Sequence, residues 1–309
     1  MTIQKHHTIS VAGFVITLLG AILFSTKAII VKKTFAHTHI DALSLLTLRM
    51  IFSLPFYIAV ALITSGNKER TLLTNKQWLY IVVMGLFGYY LSSLFDFIGL
   101  QYVTAGLERL ILFLYPTFAV LINSIVFKQK MTHVQRWALM LTYTGIAIAY
   151  AGELRIDFGN AKFLWGSFLI FLCAITYSIY IVGSGKLIPA VGATRFTAYA
   201  MLAATAGIFI HFTLSGKSLQ LLATGNGLWW YALLLAVAAT VIPTFLISNG
   251  LKRIGSNNVA IISSIGPVST IVQAHFILGE KIFPEQVTGT ILVIAGVLLI
   301  GWRSRIGPE

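Results

Sequence analysis

The chain of 309 residues predicts an all-α integral membrane protein, ten transmembrane helices arranged as two inverted five-helix repeats. Three observations lead there. Hydrophobic residues make up 57% of the sequence and charged residues 10%, which leaves little material for a water-soluble domain. The apolar residues gather into ten runs of about the length needed to cross a bilayer. The later part of each half also repeats at a constant offset.

The predicted spans are 11–31, 43–63, 77–100, 105–127 and 134–151, then 163–182, 196–214, 229–250, 259–278 and 287–302. Backbone groups in hydrocarbon must be satisfied within the segment or a closed barrel, and runs of about 18 to 24 residues are too long for barrel strands. Helices are therefore the expected element in every span. The fifth and tenth are the shortest and are rich in Gly.

A net charge of +13 excludes little by itself. Nucleic-acid binding needs basic residues clustered on a solvated face, and here they are scattered through short loops, so no nucleic-acid partner is expected. Topology accounts for them instead. If the N-terminus is inside, cytoplasmic segments carry 13 Lys and Arg, among them Lys5, Lys68, Arg70, Lys130 and Arg305, while the other side carries 6: Lys32, Lys33, Arg155, Lys162, Lys217 and Lys281. Short loops retain positive charge in the cytoplasm, so both termini are expected there, in a multi-pass protein of the inner (plasma) membrane. No small-residue cleavage site follows a short apolar core near the N-terminus, so a cleaved signal is not expected.

Sliding 105–150 onto 256–301, an offset of 151 residues without a gap, matches Ile111 with Ile262, Pro116 with Pro267, Lys130 with Lys281, Gln135 with Gln286, Leu141 with Leu292 and Gly145 with Gly296. Apolar sequences match by chance, so the identities that count are Pro, Lys, Gln and Gly. Five spans form an odd number, so a duplicated unit inverts, and a substrate path between inverted halves lies near mid-membrane. The expected units are 1–152 and 153–309, joined through a linker that carries Glu153, Arg155 and Asp157. Pro55, Pro116, Pro243 and Pro267 fall inside spans, each removing a helical hydrogen bond. The matched Pro116 and Pro267 are hinge candidates.

Two segments resemble a known family. Ala105-Gly106-Leu107-Glu108-Arg109-Leu110-Ile111-Leu112-Phe113-Leu114-Tyr115-Pro116-Thr117 resembles the fourth-helix motif of EamA-type members of the drug/metabolite transporter superfamily. Ile265-Gly266-Pro267-Val268, followed by Leu278-Gly279-Glu280-Lys281, is similar to the ninth-helix ending of the second repeat. The first half departs from the pattern, with Lys128-Gln129-Lys130 where Gly-Glu-Lys endings are common. The resemblance covers the whole chain and implies a permease of ten helices that moves small metabolites, often by efflux of amino acids or related solutes. A channel-like or lipid-translocating protein is the alternative, with an intramembrane enzyme further behind.

The chemistry available within the spans is limited. Lys27, Arg49, Asp96, Glu108 and Arg109 are the ionisable residues there besides His, and all belong to the first half. Each lies very roughly 6 to 10 Å below the same boundary at about 1.5 Å per residue, so their depths overlap and they are expected to cluster. A loop of about four residues makes the third and fourth helices antiparallel neighbours, and an ion pair between Asp96 and Arg109 is expected. Such a pair serves equally as a structural bridge. Glu108 is the first choice for a proton-carrying group, protons being the expected coupling ion. In the second half Tyr177, Ser178, Thr240, Thr244 and His275, with Tyr115 from the first, are candidates to line the path, although Ser and Thr on membrane helices commonly bond their own backbone. Trp78, Trp137, Trp165, Trp229, Trp230 and Trp302 stand near span ends, as an interfacial belt requires.

Cys173 has no second cysteine to pair with. No GxxxxGK[ST] or HExxH motif occurs, so no nucleotide, metal or other cofactor is expected and primary transport and zincin chemistry are set aside. The expected partners are the lipid bilayer, a small-molecule substrate and protons.

Overall fold

A computed structural model describes residues 11–65, 73–126, 128, 133–154, 160–217, 227–263 and 265–303. Lys5, Lys68, Arg70, Lys130, Arg155, Asp157 and Arg305 lie outside the described residues. Among the described residues all regular structure is helical. In chain order the helices are α1 (Val11–Thr38), α2 (Ala42–Ser65), α3 (Asn75–Gly99), α4 (Ala105–Val126), α5 (His133–Leu154), α6 (Ala161–Val191) and α7 (Ala193–Leu214). Next come α8, built from Leu228–Ala236, Val237–Val241 and Ile242–Ser263, then α9 (Gly266–Leu278) and α10 (Pro284–Arg303).

Seven segments, in α1–α4 and α6–α8, are long and apolar enough to cross a membrane. The outer surface of the whole bundle needs an apolar solvent. Leu62 is 68% exposed, Phe276 80% and Ile291 62%, exposure that water would penalise and hydrocarbon would not. Trp78, Trp137, Trp165, Trp229 and Trp230 are likewise exposed.

The interior is organised by close helix pairs. The largest buried apolar cluster joins α1, α2, α3, α7 and α8, through Leu45, Leu46, Met50, Phe97 and Phe212 among others. Helices α5 and α10 pack most closely, because Gly145 and Gly289 face each other across the pair. A Cβ on Gly289 would fall 2.3 Å from the Gly145 carbonyl oxygen, so the backbones touch where any larger residue would hold them apart.

Besides a π turn at Ala274–Leu278 in α9, departures from regular helix fall at matched places in the two halves. Helix α3 passes through a π turn at Leu86–Leu91 and α8 through another at Val237–Val241. In α8 the extra residue lets Thr240 Oγ1 donate to Leu235 O at 2.8 Å, and Pro243, which has no N–H to give, follows at once. Helix α4 stops after Leu112 and restarts at Tyr115, and helix likewise stops after Ser263 and restarts at Gly266. Pro116 and Pro267 are each the second residue of the restarted segment. At that position a missing N–H costs nothing, so they follow breaks rather than kink continuous helices.

Three sequence expectations need correction. Helices α1 and α6 run past the predicted ends at 31 and 182, and Lys32 and Lys33 belong to α1 rather than to a loop. The connection expected over 251–258 is helical, as part of Ile242–Ser263. That segment bends sharply, since a Cβ on Gly250 would lie 3.4 Å from Val259 Cγ2, whereas nine residues of straight helix span about 13.5 Å. No proline lies between those residues to end the helical hydrogen bonding.

Candidate functional site

A cavity of about 190 Å³ lies in the middle of the bundle, walled by α1–α4 from the first half and α6–α8 from the second. Its polar wall comes from the first half and includes Lys27 of α1, Arg49 of α2, Ser93 and Asp96 of α3 and Arg109 of α4. Tyr177 of α6, Met201 of α7 and Thr240 and Thr244 of α8 face them. The two threonine hydroxyls donate to their own helix, to Leu235 O and Thr240 O, so this side presents largely apolar surface.

The five intramembrane charges meet as their common depth predicts, with different partners. Lys27 Nζ is 2.6 Å from Asp96 Oδ2 and 3.9 Å from Glu108 Oε1, so one ammonium serves two carboxylates. Asp96 and Glu108 are completely buried. The expected pair between Asp96 and Arg109 does not form. Arg109 turns toward α1 and α9 instead, its guanidinium carbon 5.8 Å from the Phe24 ring centroid. Gly266 leaves the space it occupies, for a Cβ there would lie 2.7 Å from the guanidinium. Arg49 donates to Ser93 Oγ at 3.2 Å and lies 5.3 Å from the centre of the Phe97 ring.

The remaining candidates divide. Tyr115 and Tyr177 line the cavity, with their rings edge to face at 5.2 Å. Glu108 stands behind Lys27 and outside the cavity wall. Ser178 also lies outside it, donating to Tyr115 O at 2.8 Å and to Ala174 O at 2.6 Å, which ties α6 to the restart of α4. His275 is exposed, and its Nδ1 lies 2.9 Å from the backbone oxygen of Glu280.

Sequence reasoning missed a clasp above the charge cluster. The Glu280 carboxylate, from the α9–α10 connection, accepts from Ala105 N at 3.0 Å and Gly106 N at 3.4 Å, and so caps the N-terminus of α4 from the other half of the chain. Lys32 Nζ lies 3.9 Å from the same carboxylate and donates to Val103 O at 2.5 Å. At the same end of the bundle Lys217, beyond α7, pairs with Asp41 at the start of α2. Burial raises the Asp41 carboxyl, but hydrogen bonds from Lys217 and Ser44 outweigh it and hold the group below its ordinary value.

Comparison with known proteins decides what such a bundle is. The EamA-like transporter family matches residues 11–151 and again residues 164–302. The chain belongs to the EamA-like transporter family. Among similar proteins is the uncharacterized transporter YcbK of Bacillus subtilis, 30% identical over 282 residues, covering 90% of this chain and 89% of YcbK. A probable terminal-alkyne amino-acid exporter of Streptantibioticus cattleyicolor is 25% identical over 223 residues, 67% of each chain. A crystal structure superposes with a TM-score of 0.65 at 17% identity, covering 96% of this chain and 98% of that one, a likeness of fold. The EamA-like assignment makes this chain a multi-pass membrane transporter with the bilayer and a small molecule as its partners. Its relatives are transporters, not enzymes.

One signal in the sequence pointed at an overlooked wall residue of this EamA-like cavity. Ser93 lies three positions before Asp96, on the same face of α3, so a path drawn past Asp96 passes Ser93. The Glu280 cap had no such signal, because it depends on where a connection in one half lands on the other.

Proposed function

We propose that this EamA-like chain is a secondary-active permease that exports a small metabolite, such as an amino acid or related solute, by alternating access in exchange for protons. The observation that carries the reading is the mid-bundle cavity walled by both halves, with the Glu280 clasp above one end of it. An inverted repeat of units 1–152 and 153–309 underlies the mechanism. Several features support the repeat: the family matches twice, the π turns begin 151 residues apart, and so do the restarts at Tyr115 and Gly266. Corresponding helices also pack on each other, α5 on α10 and α2 on α7. In this reading the breaks before Pro116 and Pro267 are the hinges, and Glu108, which shares Lys27 with Asp96, carries the proton.

The test is efflux of a panel of metabolites from cells and proteoliposomes holding the purified protein, with and without a pH gradient. Saturable efflux of one solute class, accelerated by the gradient, is the expected result, and a well-folded Glu108→Gln protein should keep exchange while losing the acceleration. Non-saturating flux without counter-transport would instead indicate a channel.

In this reading both termini are cytoplasmic and the protein sits in the inner membrane, on the asymmetry of 13 Lys and Arg outside the predicted spans on one side against 6 on the other. Reporter fusions after Arg305 and between residues 226 and 227 should land on opposite sides. Reporters found on one side would overturn the arrangement of ten spans.

A further inference from the structure

The charges on the cavity wall are not neutralised within the protein. Lys27, Arg49, Asp96 and Arg109 all reach it, and the one carboxylate among them is held by Lys27 at 2.6 Å. Glu108, buried behind, leans on the same ammonium at 3.9 Å. Both carboxylates of the cluster approach the same lysine, Asp96 alone within hydrogen-bond distance, and neither guanidinium forms an ion pair with a described carboxylate.

The two arginines are also deeply buried. Arg49 is 4% exposed and Arg109 8%, and the Nε of each lacks a hydrogen-bond partner. Arg49 has a neutral hydroxyl, Ser93, at 3.2 Å, and both guanidiniums lie near aromatic rings, Phe97 and Phe24. A guanidinium offers five donors in a fixed fork, and burying it without an anion is costly unless a ligand supplies one. Phe24, Tyr89, Phe113, Tyr115 and Tyr177 supply an aromatic wall beside them.

We propose that the cavity takes an organic carboxylate with an aromatic body and no cationic group, and that Arg49 and Arg109 receive the carboxylate. The proposal deepens the permease reading and rests on it for the substrate's movement, though not for its binding. A zwitterionic amino acid fits the wall less well. Its ammonium would have to compete with Lys27 for Asp96, the one carboxylate on the wall, because Glu108 stands behind it.

Three probes with the same ring and the same two-carbon chain separate the possibilities: 3-phenylpropanoate, phenylalanine and phenethylamine. Binding to the purified protein in detergent is read by calorimetry, and efflux is read separately from proteoliposomes loaded with each probe. Affinity for 3-phenylpropanoate should exceed that for phenylalanine by about tenfold, and phenethylamine should bind most weakly of the three. Arg49→Gln and Arg109→Gln should each erase most of that preference, and Arg109→Lys, which keeps the charge without the fork, should retain part of it. If a Gln variant does not fold, the wild-type ranking and the Lys variant decide. Equal or reversed ranking, or binding of none of the probes, overturns the proposal. Strong efflux of phenethylamine or phenylalanine would leave the permease standing while removing the carboxylate site, whereas tight binding of 3-phenylpropanoate without efflux would do the opposite.

Discussion

Lys27→Met is expected to remove most of the folded protein from the membrane, and adding Asp96→Asn to it should bring a large part back. Lys27 is the ammonium that both Asp96, at 2.6 Å, and Glu108, at 3.9 Å, approach, and both carboxylates are completely buried. Removing it leaves two carboxylates close together with no cation between them, and breaking a buried ion pair from one side costs about 3–5 kcal/mol. Asp96→Asn alone should cost less, since Lys27 keeps Glu108 as a partner. The double change leaves a single carboxylate, which escapes most of the penalty by taking up a proton. Thermal unfolding of the detergent-purified variants measures the order: wild type, then Asp96→Asn, with the double variant above Lys27→Met. A Lys27→Met protein as stable as wild type would show that the three side chains do not form an energetic unit.

The second large effect lies at the seam of two helices that do not line the cavity. Gly289→Leu should separate α5 from α10 and lower both the yield and the unfolding temperature of the protein. A Cβ at Gly289 would meet the Gly145 carbonyl oxygen at 2.3 Å and the Ala149 Cβ at 2.7 Å, and a backbone oxygen cannot turn aside as the end of a side chain can. Overpacking a well-fitted site typically costs about 1–3 kcal/mol, and contact with backbone puts this substitution at or beyond the upper end. Ile291→Leu is the control, being on the same helix, similarly apolar and 62% exposed to the surroundings of the bundle. Its stability should not change. If Gly289→Leu matches that control, the α5–α10 contact is looser than the packing implies.

The charge cluster was legible from sequence only in part, for a geometric reason. Counting residues along each helix puts Lys27, Arg49, Asp96, Glu108 and Arg109 at one depth, and they do come together. Partner choice depends on which helices stand side by side and how each is rotated. The short loop made α3 and α4 look like the natural pair, yet Asp96 meets Lys27 of α1, while Arg109 occupies space left by Gly266 of α9. The matched prolines were visible at their offset, but sequence placed the kink at the proline itself. The break occurs just before it, where a restarted helix accepts proline without loss.

The sequence alone determined the all-helical membrane class of this protein and the matching level of its ionisable groups along their helices. Those properties follow from the length of apolar runs and the positions of charges along them, which are local and set by the thickness of hydrocarbon. Only the tertiary structure decided that one lysine serves two carboxylates, that two arginines face the cavity without carboxylate partners, and that Glu280 caps α4 from the opposite half. Each of these is a contact between segments far apart in the chain. Such contacts depend on the packing of whole helices, where small residues such as Gly145, Gly266 and Gly289 set how closely the backbones approach.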